Sequence, residues 1–316
     1  MKTLCSILIA CLFILICSTT VLHADQPTTG PGSGDYAHAS VTKAKFGRGA
    51  KAYYIFEPAD PTPVSAPVVV FMHGLFGTSP SYYIGWINHI TRRGNIVVFP
   101  VYQSMISGVS SRKFAVNSIH AILDSLTNMF VTPELDKVAM VGHSAGALLT
   151  ANLTATATEV GLPPIKAAMC VAPGITPIFK LEDMTQIPPS TLLITVAGDR
   201  DMLVGTKDAK KVFNKATQVI NRNYIYVNSD RGNQANHFAA LSGSRRNNNI
   251  DHFCYWKIFD ALCDAAFYDC NWCYCFGNTP EQVYMGKLRN GDDMKALTVT
   301  LPDLLLVDNK EGNSPA

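Results

Sequence analysis

The stretch Val138-Ala139-Met140-Val141-Gly142-His143-Ser144-Ala145-Gly146-Ala147-Leu148-Leu149 decides how the whole chain is read. A short apolar run enters Gly-His-Ser-Ala-Gly, and small, helix-forming residues leave it. This is the strand–turn–helix context of a G-x-S-x-G turn that lifts a serine clear of a sheet edge. Such a turn is so tight that side chains two residues to either side would collide, which accounts for Gly142 and Gly146. The alternative is a Gly/Ser-rich turn without chemistry, and the rest of the chain must decide between the two.

Working outward, Pro67–Met72 and Asn95–Pro100 are continuous apolar runs, the pattern of strands covered on both faces. Lys137–Val141 leads into the turn, and Ala167–Val171, Thr191–Ala197 and Tyr224–Val227 follow it as further strands. Helical spacing marks the intervals Ser81–Arg92, Ala145–Val160 and Lys207–Ile220, and a C-terminal helix over Asp251–Phe267. Ala115–Phe130 is also helical, with Val116, Ile119, Ile122, Leu123 and Leu126 on one face. Ser40–Phe46 and Ala52–Phe56 alternate as antiparallel edge strands. The succession predicts an α/β fold, a mostly parallel central sheet with helices on both faces. The 17 residues from Pro173 to Pro189 are too few for a large helical cap, so little or no cap domain and an open groove are expected.

The 316 residues are 47% hydrophobic and 16% charged with a net charge of +2, which suits a packed core and argues against a nucleic-acid partner. Residues 1–24 read as a signal peptide: Lys2, the apolar run Leu4–Cys17, then Val21-Leu22-His23-Ala24 before the cut. That run is shorter than the roughly 20 residues a spanning helix needs. A lipid anchor at Cys11 is disfavoured by the short apolar run before it, and the C-terminus carries no anchor signal. The expected product is secreted, monomeric and without a stable membrane anchor. Residues 25–35, rich in Pro, Gly and Thr, read as a disordered lead-in, and 36–316 as a single domain.

Removing the signal leaves Cys170, Cys254, Cys263, Cys270, Cys273 and Cys275. The cluster over 254–275 reads as disulfide stapling in an oxidising compartment, and Cys170, inside an apolar run, as a buried free thiol. Zinc held by Cys270, Cys273 and Cys275 is the weaker alternative, because structural sites use two separated ligand pairs. The sequon Asn152-Leu153-Thr154 falls in the helix after the turn, a place that argues against a glycan.

If Ser144 is a nucleophile, its partners should stand on later loops. Thr191–Ala197 runs into Gly198-Asp199-Arg200-Asp201, where spacing selects Asp201 as the third-group carboxylate and leaves Asp199 to shape the turn. His237, on the loop after Tyr224–Val227, has the order and context of the base. His143 should point away from the substrate, and His38, His89, His120 and His252 read as surface or packing residues. His73-Gly74-Leu75-Phe76-Gly77 follows the first parallel strand, where one oxyanion N–H must come from; Leu75 and Ala145 are the candidates. His73 reads as a residue of the loop architecture. Phe76 is the candidate substrate wall beside the oxyanion donor, while Tyr82, Tyr83 and Trp86 could line the groove or simply pack.

With Ser144, Asp201 and His237 in that chain order, the sequence resembles the α/β-hydrolase superfamily. More narrowly it is similar to the exported polyester-hydrolase/cutinase-like and chlorophyllase-like branch, related also to platelet-activating-factor acetylhydrolases. The likeness runs from Tyr36 to Val299 through Gly47–Tyr54, His73–Gly77, Gly142–Gly146, Gly198–Asp201, Asn236-His237-Phe238 and Glu281–Gly286. It implies an α/β-hydrolase fold and a carboxylic ester hydrolase with a Ser-His-Asp triad, an acyl-enzyme and neither metal nor organic cofactor. The implied partner is an ester small molecule or a hydrophobic ester surface. A non-catalytic binding protein on the same scaffold, a peptidase or an acyltransferase are the alternatives. The cysteine-rich segment departs from the compact members of this branch.

Overall fold

The computed structural model describes residues 26–104, 109–174, 179–243 and 247–302; the signal reading lies outside them. The apolar runs are explained by a sheet covered on both sides. In β3 (Ser65–Met72), Val68, Val70 and Met72 join one hydrophobic cluster, and Val69 and Phe71 join the other. Alternate side chains face opposite ways, and both faces carry helices, so neither favours a polar position.

The remaining strands are β1 (Ser40–Phe46), β2 (Tyr53–Ala59), β4 (Ile96–Pro100), β5 (Thr132–His143), β6 (Ile165–Val171), β7 (Leu192–Gly198), β8 (Arg222–Val227) and β9 (Thr298–Thr300). Among the described residues they form one nine-stranded sheet in the order β1-β2-β4-β3-β5-β6-β7-β8-β9. Pairings from β4 through β3 to β8 are parallel, and β1, β2 and β9 join antiparallel at the edges. Helices α1 (Ile84–Arg92) and α5 (Lys257–Tyr268) cover one face through Trp86, Ile87, Phe259 and Leu262. Helices α2 (Ser111–Ser125), α3 (Ala145–Thr156) and α4 (Lys207–Lys215) contribute Phe114, Leu148 and Val212 to the other. In-register ends, Met72 beside Gly142 and Gly198 beside Val227, bring the loops after β3, β5, β7 and β8 to one carboxyl edge. That edge is where open α/β sheets form their clefts.

Several expectations need correction. Helix α2 starts earlier, capped by the Ser110 side chain, and buries Phe114, Ser118, Ala121, Ile122 and Ser125. Val116 and Leu123 are exposed. Small residues mark the contact face here, letting the helix approach closely, so counting large apolar residues picks the wrong stripe. The strand Tyr224–Val227 is not the last: β9 pairs with it, three residues too short to give a periodic signal. A π-helical segment, Ile250–Trp256, precedes α5.

The lead-in is not loose. The Gly32 N–H donates to Asp260 Oδ2 at 2.7 Å, and Gln26 Nε2 donates to the Gly32 carbonyl at 3.0 Å. Tyr36 Oη lies 3.0 Å from His89 Nδ1, whose other ring nitrogen lies 2.8 Å from Asp260. A buried carboxylate on α5, shared with Arg93 at 3.1 Å, holds the segment from a distance that composition does not report.

The disulfide stapling expected over 254–275 is not formed. Cys254, Cys263 and Cys275 are buried thiols, as is Cys170, and Cys270 and Cys273 are exposed thiols. Side-chain hydrogen bonds hold the loop instead: Asn271 Nδ2 to Asp264 Oδ2 at 2.8 Å and Trp272 Nε1 to Asp269 Oδ1 at 2.8 Å. A short helix, α6 (Pro280–Val283), follows, and the buried Lys257 ammonium donates to the carbonyls of Glu281, Gln282 and Tyr284. Among the described residues no group of His, Cys, Asp or Glu is arranged to hold a metal. Asn152 is buried, donating to the Lys180 carbonyl at 2.9 Å and accepting from the Glu182 N–H at 3.0 Å. The segment joining β6 to β7 has a single 3-10 turn, Met184–Gln186, among its described residues.

Candidate active site

Ser144 sits at φ 57°, ψ −122°, a strained backbone for a residue with a Cβ. The flanking glycines make it possible. A Cβ at Gly142 would collide with the Gly146 carbonyl, and one at Gly146 with the carbonyls of Met72 and His73. The Ser144 N–H donates to the Val171 carbonyl at 2.9 Å, which locks the turn to β6.

Ser144 Oγ lies 2.9 Å from His237 Nε2, and His237 Nδ1 lies 2.9 Å from Asp201 Oδ2. An ionised carboxylate only accepts, so Nδ1 carries the proton and Nε2 is free to accept from the serine hydroxyl. All three residues are buried. Burial alone would raise the Asp201 carboxyl, but His237 and the N–H groups of Val204 and Leu203 hold it below the usual range.

Asp199 faces elsewhere. Its carboxylate accepts from the Ser229 N–H at 2.9 Å and from the Ser229 hydroxyl, which in turn accepts from the Ala235 N–H at 2.9 Å. It shapes the loop that carries His237 without touching the ring. The structure therefore brings Asp201, and not Asp199, to the histidine.

Near the serine, Ala145 is the first residue of α3 and has no intrahelical acceptor for its N–H. Neither that N–H nor the Leu75 N–H donates to a protein group among the described residues. The Phe76 N–H is engaged instead, by Gln103 Oε1 at 3.0 Å. Gln103 is buried and nothing in its local sequence marks it; only the fold carries it to the loop. His73 is a loop residue as expected, stacked on Tyr102 with ring centres 4.0 Å apart. Its Nδ1 lies 2.6 Å from the Gly74 carbonyl, and burial lowers its pKa to about 4.

Serine and histidine open into a groove of about 680 Å³ whose walls include Phe76, Tyr82, Leu203, Phe238 and Leu241. Phe76 is 54% exposed and Tyr82 49%, so both present rings to the opening. Trp86 is buried against Tyr255 and Phe259 and takes no part in the wall. Tyr83 is buried too, but its hydroxyl reaches the groove floor, accepting from the Gly74 N–H at 2.9 Å.

The sequence profile described as Chlorophyllase matches residues 30–200, more than half of the 316-residue chain. The chain belongs to the chlorophyllase family. Its doubly covered nine-stranded sheet is an α/β-hydrolase fold, and its family is one of ester hydrolases of that type. No curated protein matches the sequence at a significant level. The family match takes in the loop His73–Gly77 and Ser144 and stops just before Asp201. Asp201 and His237 lie beyond the matched residues, and their contacts with each other and with Ser144 come from the geometry.

Proposed function

We propose that this family member is an exported serine hydrolase that cleaves carboxylic esters through an acyl-enzyme. The carrying observation is the continuous contact Ser144–His237–Asp201, 2.9 Å at each step, set on a strained turn beside two undonated N–H groups.

His237 Nε2 takes the proton as Ser144 Oγ attacks the ester carbonyl. The N–H groups of Leu75 and Ala145 receive the developing oxyanion. Asp201 holds the ring tautomer and balances the imidazolium without taking its proton. The imidazolium protonates the departing alcohol; His237 then activates water, which attacks the acyl carbon and returns the serine. Phe76, beside the oxyanion donor, forms an apolar wall suited to an acyl chain, an aromatic ester or a hydrophobic ester surface. Export is supported by Lys2 and the apolar run Leu4–Cys17, and the monomer by a sheet capped at both edges by short or charged antiparallel strands.

The test is hydrolysis of a chromogenic ester series by the protein and by Ser144→Ala. Wild-type turnover with a loss of at least roughly a thousandfold in the variant is expected. Equal rates would remove the catalytic claim.

A further inference from the structure

His143, the residue inside Gly-His-Ser-Ala-Gly that the sequence turns away from the chemistry, is buried and fully engaged. Its Nδ1 lies 3.0 Å from the Tyr83 hydroxyl, and its Nε2 lies 2.8 Å from the backbone carbonyl of His237. The carbonyl can only accept, so Nε2 carries the proton and Nδ1 must accept. The Tyr83 hydroxyl donates to Nδ1 and, on its other side, accepts from the Gly74 N–H at 2.9 Å. Donors and acceptors then match at every step: Gly74 N–H to Tyr83, Tyr83 O–H to His143, His143 N–H to the His237 carbonyl.

We infer that Tyr83 and His143 are positioning residues that fix the distance between the oxyanion loop and the histidine loop. These hydrogen bonds link Gly74, directly before the donor Leu75, to the main chain of His237 through the residue directly before Ser144. Three parts of one reaction come from loops after β3, β5 and β8, far apart in sequence. Backbone hydrogen bonds join the two connections further along, the Ser242 N–H to the Tyr82 carbonyl at 3.0 Å and the Gly85 N–H to the Ser242 carbonyl at 3.3 Å, while between Gly74 and His237 the link runs through Tyr83 and His143. The imidazole supplies a rigid spacer with an acceptor at one end and a donor at the other. Packing supports the role: the His143 and His237 ring centres are 4.9 Å apart, and a Cβ on Gly74 would stand 3.0 Å from His143 Nδ1. The ring must also stay uncharged, because His237 becomes an imidazolium beside it during turnover. Burial and the neighbouring His237 lower the His143 pKa to about 3, consistent with that requirement.

The inference rests on the proposal that Ser144 and His237 are nucleophile and base, and the experiment separates the two. His143→Gln can keep a donor toward the His237 carbonyl but lacks the Nδ1 acceptor; His143→Asn can keep an acceptor for Tyr83 but does not reach the carbonyl. Tyr83→Phe removes only the hydroxyl. All three are assayed on one chromogenic ester beside the wild type and Ser144→Ala, with folded protein measured by circular dichroism and thermal melting. Each single variant is expected to lose kcat by roughly ten- to hundredfold at a KM within about twofold, the scale of a small misplacement of reacting groups. The double variant Tyr83→Phe/His143→Gln, which cuts the same link twice, should lose no more than the worse single variant. Full kcat in His143→Asn or Tyr83→Phe, losses that follow the folded fraction alone, or multiplying losses in the double variant would overturn the inference. Equal rates in wild type and Ser144→Ala would instead overturn the nucleophile itself.

Discussion

Replacing Asp201 by asparagine keeps the shape of the side chain and changes one atom that matters. The amide oxygen can still accept from the Leu203 and Val204 N–H groups, each at 3.0 Å in the native turn. The amide nitrogen then faces His237 Nδ1, where a carboxylate oxygen accepted at 2.9 Å. Two donors cannot share that contact, so the ring moves its proton to Nε2. Nε2 is the atom 2.9 Å from Ser144 Oγ and can no longer accept the serine proton. The imidazolium formed in turnover also loses its counter-charge. The analogous change in a serine protease lowers kcat by about ten-thousandfold, which corresponds to about 5.5 kcal/mol of barrier. Folding should suffer far less, since one charge-assisted hydrogen bond is worth about 1.5–3 kcal/mol. Asp199→Asn is the control: an amide can keep an acceptor for Ser229, so kcat should fall by less than about tenfold. The assay is kcat on a chromogenic ester per mole of folded protein. A larger loss in Asp199→Asn than in Asp201→Asn would refute the assignment and move the acid to Asp199.

Two further outcomes follow from the same geometry. Gly146→Ala puts a methyl against the carbonyls of Met72 and His73, backbone that no rotamer change can move, so a loss of at least about 1–3 kcal/mol and a lower melting temperature are expected; an unchanged melt would contradict the steric account of the turn. Stability should also fall as pH drops below about 6.5, because His73 and His143 are buried uncharged with values lowered to about 4 and about 3. Between the unfolded value and those folded values the unfolded chain binds more protons, so their contribution is full above about pH 6.5 and is lost on acidification. Urea midpoints from pH 7.5 down to about 4.5 measure it. A flat profile over that window would contradict the neutral buried rings, and carboxylates such as Asp201, held low in the fold, act only further down, below about pH 4.

Much of the fold was legible because its signals are local. β3 beyond Ser65 and all of β4 are apolar since both faces of the sheet are covered, and short apolar runs alternating with helical spacing leave few other arrangements. The errors fall where a signal is short or non-local. β9 is three residues of Thr-Val-Thr that become a strand only because β8 offers an edge. The lead-in of Pro, Gly and Thr is ordered by Asp260, a carboxylate 228 residues away from the Gly32 N–H it accepts. The cysteines near the C-terminus invite a reading by compartment, whereas the structure holds that loop with amide and indole hydrogen bonds. The contact face of α2 escapes a count of large apolar residues because serine and alanine make much of the close contact there.

For the candidate site the division has one physical cause. Steric demands and chain order are properties of the sequence itself: two glycines permit the strained serine, and Ser144, Asp201 and His237 occur in a recognisable succession. Which carboxylate reaches the imidazole is not such a property. Asp199 and Asp201 lie two residues apart on one turn, and only the path of the loop after β8 makes one meet Ser229 and the other His237. The same holds for Gln103 and His143, whose partners come from other loops, and for Tyr83, whose hydroxyl joins Gly74 to His143. Hydrogen bonds act over about 3 Å in space and take no account of separation along the chain. The sequence alone determined the serine and the turn that carries it, while the tertiary structure decided what holds the groups around it in place.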